Sequence, residues 1–225
     1  GDDKEEMMKY IVSMIVIISG VSLAMGPGNS AGTFLKLSVD ARNCGMGEVG
    51  AAYFNNASSI YYNPAGLGQM GKYDIVFMHN QWLLGMYHEF LAIGFTQEKI
   101  GGFGLLFNYW DSGKIEGFDE RGDTIRINGA PYTFSAYDWA FGLGYGKSFD
   151  QFSLGLAMKF ISEKNESLST SGAGFDFGAK FFPPVKGLTM GTSVANVGSK
   201  LRLHDAGLAF SLPLMWRIGM AYKLN

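Results

Sequence analysis

The chain has 225 residues, 47% of them hydrophobic, 17% charged and 15% aromatic, with a formal net charge of −2. So much bulky apolar content with so little charge excludes a disordered chain and gives no electrostatic footprint for nucleic acid. A single cysteine excludes a disulfide scaffold and an all-cysteine metal site, and 32 glycines without a three-residue period exclude collagen.

At the N-terminus, Lys9 precedes the apolar run Tyr10 to Val21, and Ser22-Leu23-Ala24 follows. A basic flank, a short apolar core and a small-residue exit match a secretory signal peptide over 1–24. The acidic residues before Met7 read as an upstream extension, with Met7 or Met8 as the start. The alternative is a membrane anchor, for which the apolar core is short, since a helical span takes about 20 residues. Cys44 lies too far downstream to be a lipoprotein attachment site. The expectation is an exported protein.

Residues 25–71 form a second region without clean alternation. From Ala31 it reads as extended chain leading into a short Gly/Ala-rich helix, and Asn63-Pro64 predicts a turn. Gly45-Met46-Gly47-Glu48-Val49-Gly50 matches a dinucleotide-binding fingerprint in letters only. No strand precedes it, no βαβ unit follows, and the next acidic residue, Asp74, is poorly placed to hold a ribose. Small residues that pack closely against a neighbouring wall are the expected explanation for these glycines, and Cys44 is expected to pack as well.

From residue 72 to 225 large residues recur at every second position. In 137–145 the large set is Tyr137, Trp139, Phe141, Leu143 and Tyr145, with Asp138, Ala140, Gly142 and Gly144 between them. The same pattern runs through Phe103–Tyr109, Phe152–Phe160, Phe175–Phe181 and Leu214–Leu224, and more weakly through 72–80, 85–96 and 186–197. A period of two places one large and one small face on a strand. About eight antiparallel strands are predicted, near the 9–11 residues of a tilted membrane crossing. So many interior glycines would be costly in helices. The small face is Gly, Ala and Ser with few charges, where a soluble sandwich would balance the large face with charge. Tyr73, Tyr109, Tyr137, Tyr145, Phe181 and Tyr222 sit at strand ends, as an interfacial girdle requires. Strands in a bilayer must close into a barrel, because no water there satisfies a free edge. The predicted class is all-β, an antiparallel transmembrane β-barrel in a bacterial outer membrane. The alternative is a secreted soluble β protein such as a lipocalin-like barrel.

Connections at 98–99, 148–151 and 183–187 are short, whereas 111–134 is long. Outer-membrane barrels have short periplasmic turns and long outer loops. Residues 111–134, 163–171 and 198–211 are therefore expected together on the extracellular side. The acidic residues of 111–134 match no calcium-loop spacing and read as a solvated loop.

Phe34-Leu35-Lys36, Ala41-Arg42, Gly45-Met46-Gly47 and Asn63-Pro64-Ala65-Gly66-Leu67 together resemble the PorV/PorQ group of FadL-type outer-membrane proteins, and the chain is similar to treponemal outer-membrane proteins of that type. The resemblance runs from about Ala31 to the C-terminus. It implies a 14-stranded barrel with an N-terminal hatch inside, here 25–71. It also marks Phe34, Arg42, Gly45, Met46, Gly47, Asn63, Pro64, Ala65 and Gly66 as hatch-motif and gate positions. Residues 72–225 supply about eight strands, and the last resembles a mid-barrel strand. Either the barrel is incomplete at the C-terminus, or the hatch lies outside a small barrel, whose interior its own side chains would fill.

No catalytic constellation is present. His79, His88 and His204 form no ligand motif, and no Gly-x-Ser-x-Gly elbow occurs, so neither an enzyme nor a cofactor is expected. The resemblance implies passage of hydrophobic small molecules across the outer membrane. Its alternative is a PorV-like part in type IX secretion, binding secreted proteins or the secretion machinery, and a structural barrel without throughput is a third reading. The expected partners are outer-membrane lipid and either such a ligand or such proteins.

Overall fold

The structure, a computed structural model, describes residues 30–166, 168–202 and 208–223. The expected signal peptide over 1–24 lies outside the described residues. Eight long strands form one antiparallel sheet: β1 Tyr73–Gln81, β2 Tyr87–Gln97, β3 Gly101–Asp111, β4 Ala136–Ser148, β5 Phe152–Asn165, β6 Leu168–Phe181, β7 Leu188–Gly198 and β8 Met215–Tyr222. Each pairs with the next in sequence, and the order ends at β1 and β8, which do not pair with each other. The result is a curled half-barrel with two free edges. Strand lengths run from 8 to 14 residues, because β5 and β6 continue past the expected ends.

Register explains why one face is small. Cross-strand pairing lines up Gly94, Gly104, Gly144 and Ala157 in one inward row, and Gly102, Gly146, Gly155 and Gly178 in the next. These rows leave a backbone-lined trough along the inner wall. The segment 30–70 fills it with three short helices, α1 Ala41–Gly45, α2 Gly50–Tyr53 and α3 Ser59–Tyr62, and two 3₁₀ turns, Thr33–Lys36 and Pro64–Gln69. The second 3₁₀ turn packs against five adjacent strands, β2 to β6. Flat, those strands would span about 19 Å, whereas six residues of 3₁₀ helix extend about 12 Å. The wall must therefore curl around the turn. Two buried clusters result. One holds Ile60, Tyr61, Leu67, Phe90 and Leu106; the other holds Phe34, Leu35, Ile161, Leu201 and Leu212.

The outward face is the reverse. Ile75, Phe77, Leu143, Leu154, Phe177 and Trp216 are 44–67% exposed among the described residues. On β5 the exposed run Phe152, Leu154, Leu156, Met158 and Phe160 extends about 27 Å along the strand. Charged outward residues appear only near strand ends, as with Glu89, Asp111, Lys147 and Lys164. Trp139 stays on this face, packed on Phe160 at 5.5 Å between ring centres.

Tyr87, Tyr109 and Tyr137 form a ladder of rings near the loop end, with centres 5.9 and 6.2 Å apart. Phe95, Phe103 and Tyr145 form another near the short-turn end, each step 5.1 Å. The loops differ from expectation in two places. Residues 163–171 are mostly strand, since β5 and β6 stay paired up to Asn165 and Leu168. The 111–134 loop is an ordered arm: Ile115–Glu116 pairs with Thr133–Phe134, and Arg126–Ile127 with Ala130–Pro131. Its acidic residues Glu116, Asp119, Glu120 and Asp123 are exposed, and local pairing satisfies part of its backbone.

Candidate functional site

The site is the contact between the segment 30–70 and the inner wall, together with the clefts beside it. Asn63-Pro64 is the anchor, and the expected turn there is the start of a 3₁₀ helix. Asn63 is fully buried and extended, and its side-chain oxygen accepts from Ala65 N at 3.1 Å, with Pro64 at the first helical position, where its missing N–H costs nothing. Its side-chain NH2 donates to the carbonyls of Ala51 (2.6 Å), Ala179 (3.1 Å) and Thr192 (3.2 Å), which ties α2, β6 and β7 together. The wall reaches back: Ser153 Oγ donates to Ala65 O at 2.6 Å, Ser193 Oγ to Tyr62 O at 2.7 Å, and Thr96 Oγ1 to Leu67 O at 3.2 Å. A Cβ at Gly146 would stand 2.5 Å from Pro64 O, and one at Gly155 or Gly178 would overlap Pro64 or Asn63. Inside the segment, a Cβ at Gly66 would meet Ser59 and Phe54 O. The glycine rows are there to admit this backbone.

A buried charged group sits further along the wall. Lys159 Nζ lies 2.8 Å from Asp176 Oδ2 and donates to Asn196 Oδ1 at 2.5 Å. Asn196 is a bulge residue with φ 63°; the bulge leaves Ala195 and Asn196 opposite Asp176 and aims Asn196 N at Asp176 Oδ1, 2.8 Å away. Arg217 of β8 places its guanidinium 5.7 Å from the ring centres of Tyr61 and Tyr62. Burial pushes the Tyr61 hydroxyl pKa far up, the Arg217 charge opposing it, so Tyr61 stays protonated and donates to Leu35 O and Leu37 O, 2.7 Å each. Lys180 Nζ donates to Phe54 O and to Gln69 Oε1.

The expected site residues separate into three places. Asn63, Pro64, Ala65 and Gly66 lie together, buried, towards the short-turn end. Phe34 is buried near the loop end with Ile161 and Leu201. Arg42, Gly45, Met46 and Gly47 lie on an exposed lobe, where Arg42 stacks on Tyr53 at 4.7 Å. Two expectations are corrected there. Gly45 and Gly47 have open space where a Cβ would stand, so none of the described wall packs on them; Gly47, at φ 76°, reverses the chain after α1. Cys44 is exposed and packs against no core.

Lys159, Asp176, Arg217 and Asn196 are not among the residues expected from sequence. The first three carried a signal, a charge at a small-face position of an alternating strand. Asn196 carried none, because a bulge shifts it out of register. Among the described residues no group of three or more His, Cys, Asp or Glu could hold a metal ion.

Two clefts open at the loop end. One, of about 580 Å³, lies beside Phe34 and Trp110. The other, of about 280 Å³, is lined by Trp110, Asp138, Glu163 and Thr170. No family model matches the chain, and no curated protein matches it.

Proposed function

We propose that the protein is part of a bacterial outer-membrane β-barrel of the FadL type, with the segment 30–70 as its hatch, and that it passes small hydrophobic molecules across the membrane. The observation that carries this reading is the outward face: eight strands expose large apolar side chains with charge only near the ends. An apolar band of that height suits lipid, since barrel bands are about 25 Å tall. The two ring ladders suit its two interfaces. In water such a surface would be far above the few hundred Å² that soluble monomers expose.

In this reading further strands pair with β1 and β8, because free edges do not persist in lipid. The exposed lobe supports it: Met46, Val49 and Tyr53 are 37–39% exposed where more wall would cover them. Passage runs past the hatch at the loop end, beside Phe34, where the larger cleft is. The test is membrane fractionation with heat-modifiable gel mobility, followed by uptake of the apolar dye N-phenylnaphthylamine in cells with and without the protein. Recovery as a detergent-free soluble monomer overturns the membrane part. Unchanged dye uptake overturns the passage part.

One observation favours a second reading, a docking role for secreted proteins or their machinery. The ordered arm beyond β3 carries Phe118 and Ile127 at 56% and 54% exposure. Deleting 115–134 would then abolish capture of secreted proteins and leave dye uptake intact.

A further inference from the structure

The last inward row of the wall sets two carboxyl groups side by side, Asp138 opposite Glu163. Reading across β1 to β6, pairing aligns Asn80, His88, Trp110, Asp138, Glu163 and Thr170. The next row down is mostly apolar, with Phe90, Ala140 and Ile161 buried. His88 Nε2 is 2.5 Å from Asn108 Oδ1, and Glu163 accepts from Gly32 N. Asp138 stands directly opposite Glu163 and has no hydrogen-bond or ion-pair partner among the described residues. Its carboxylate borders both clefts. The larger, about 580 Å³, is lined also by Phe34, Lys36, Trp82, Met86 and Trp110. That volume is in the usual range for small-molecule sites.

A carboxyl group without a side-chain partner, beside two indoles, is the chemistry that recognises an organic cation, because the bound ammonium itself favours the ionised form. The charge attracts an ammonium group, and an indole face attracts it again through the ring quadrupole. A neutral apolar molecule would gain nothing from Asp138, and an anion would be repelled by it and by Glu163. Lys36 is at the exposed rim, where solvent screens it, and Lys164 lies 5.6 Å from the outward Tyr137 ring.

We propose that this cleft binds a small alkylammonium ion, with the cationic head against Asp138 and the alkyl groups along Trp82, Phe34 and Met86. The cleft lies beside the proposed passage route, and only that placement rests on the membrane reading. Binding itself does not depend on it.

The test uses the full chain in non-ionic detergent micelles, followed by tryptophan fluorescence. Choline is titrated beside its uncharged isostere, 3,3-dimethylbutan-1-ol. Choline should bind saturably and at least tenfold more tightly than the alcohol. Asp138→Asn should erase that difference, with unchanged far-UV circular dichroism. Lys36→Gln, at the exposed rim, should tighten choline two- to threefold and leave the alcohol unchanged, and this variant leaves the buried row intact. Equal affinity for the two probes, or no saturable choline signal, overturns the proposal and leaves the membrane reading standing. A protein that stays monomeric without detergent yet still prefers choline sinks the membrane reading instead.

Discussion

Leu156→Arg tests the outward face most directly. Leu156 is 47% exposed, at the centre of the run from Phe152 to Phe160, and its cross-strand neighbours are Tyr145 and Phe177. If that run crosses a bilayer, Leu156 is near the midplane, and an arginine there costs about 2–4 kcal/mol. That is roughly a 30- to 900-fold fall in the folded-to-unfolded ratio. Ser171 is an internal control: it is exposed in the outward row of Trp139 and Ser162, near the loop end. Arginine near the interface costs only about 0–1 kcal/mol. In water both positions are surface sites, and both changes would stay within about 0.5 kcal/mol. The assay is urea unfolding in phospholipid vesicles, read by heat-modifiable mobility. A large loss for Leu156→Arg with little for Ser171→Arg is expected. Equal and small losses at both positions refute a lipid-facing wall.

The remaining predictions concern the inner face. Gly155→Val should expel the 63–66 turn, because the new side chain overlaps the Pro64 backbone; limited proteolysis should then cut within 31–70, and an unchanged digest counts against the trough. Asn63→Ala leaves three carbonyls without their shared donor and should cost about 1–3 kcal/mol, read as a lower urea midpoint. Lys159→Met strands the buried Asp176 carboxylate and should cost about 3–5 kcal/mol, whereas adding Asp176→Leu should recover much of it. Additive losses in that double variant would mean the two groups are not coupled.

The strands were legible because period two survives in a single sequence. Trp139, Phe141 and Leu143 alternate with Ala140, Gly142 and Gly144, and the structure puts the two sets on opposite faces. The docking of Asn63-Pro64 was legible only as a local turn. Its partners Ala179 and Thr192 lie 116 and 129 residues away, and no local pattern encodes such a contact. Gly45 and Gly155 show the limit more sharply. Both are glycines, one ending a short helix and the other on an alternating strand, yet one faces open space and the other the Pro64 backbone. Pairing register decides what Gly155 faces, and register is a property of neighbouring strands. The cleft at the loop end was missed for the same reason, since Trp110, Asp138 and Glu163 come from three separate strands.

The inner segment is held unevenly, and that asymmetry bears on where anything could pass. Towards the short-turn end, Asn63, Ser153, Ser193 and Thr96 fix the backbone of 62–67 by hydrogen bonds, and glycine rows exclude any gap beneath it. Moving this turn would break several buried bonds at once, each left-over group costing about 1–3 kcal/mol. Towards the loop end the segment is held to the wall by apolar contacts of Phe34 and Leu35, by Gly32 N on Glu163 and by a short bridge between Ser30 and Ser211, and to α3 by the Tyr61 hydroxyl on Leu35 O and Leu37 O. Apolar contacts are non-directional and tolerate sliding. In the proposed reading, a molecule entering beside Phe34 would displace the more weakly held half of the segment while Asn63 keeps the other half in place. Gating would then be a local hinge about the Asn63-Pro64 anchor, with Phe34 on the moving side.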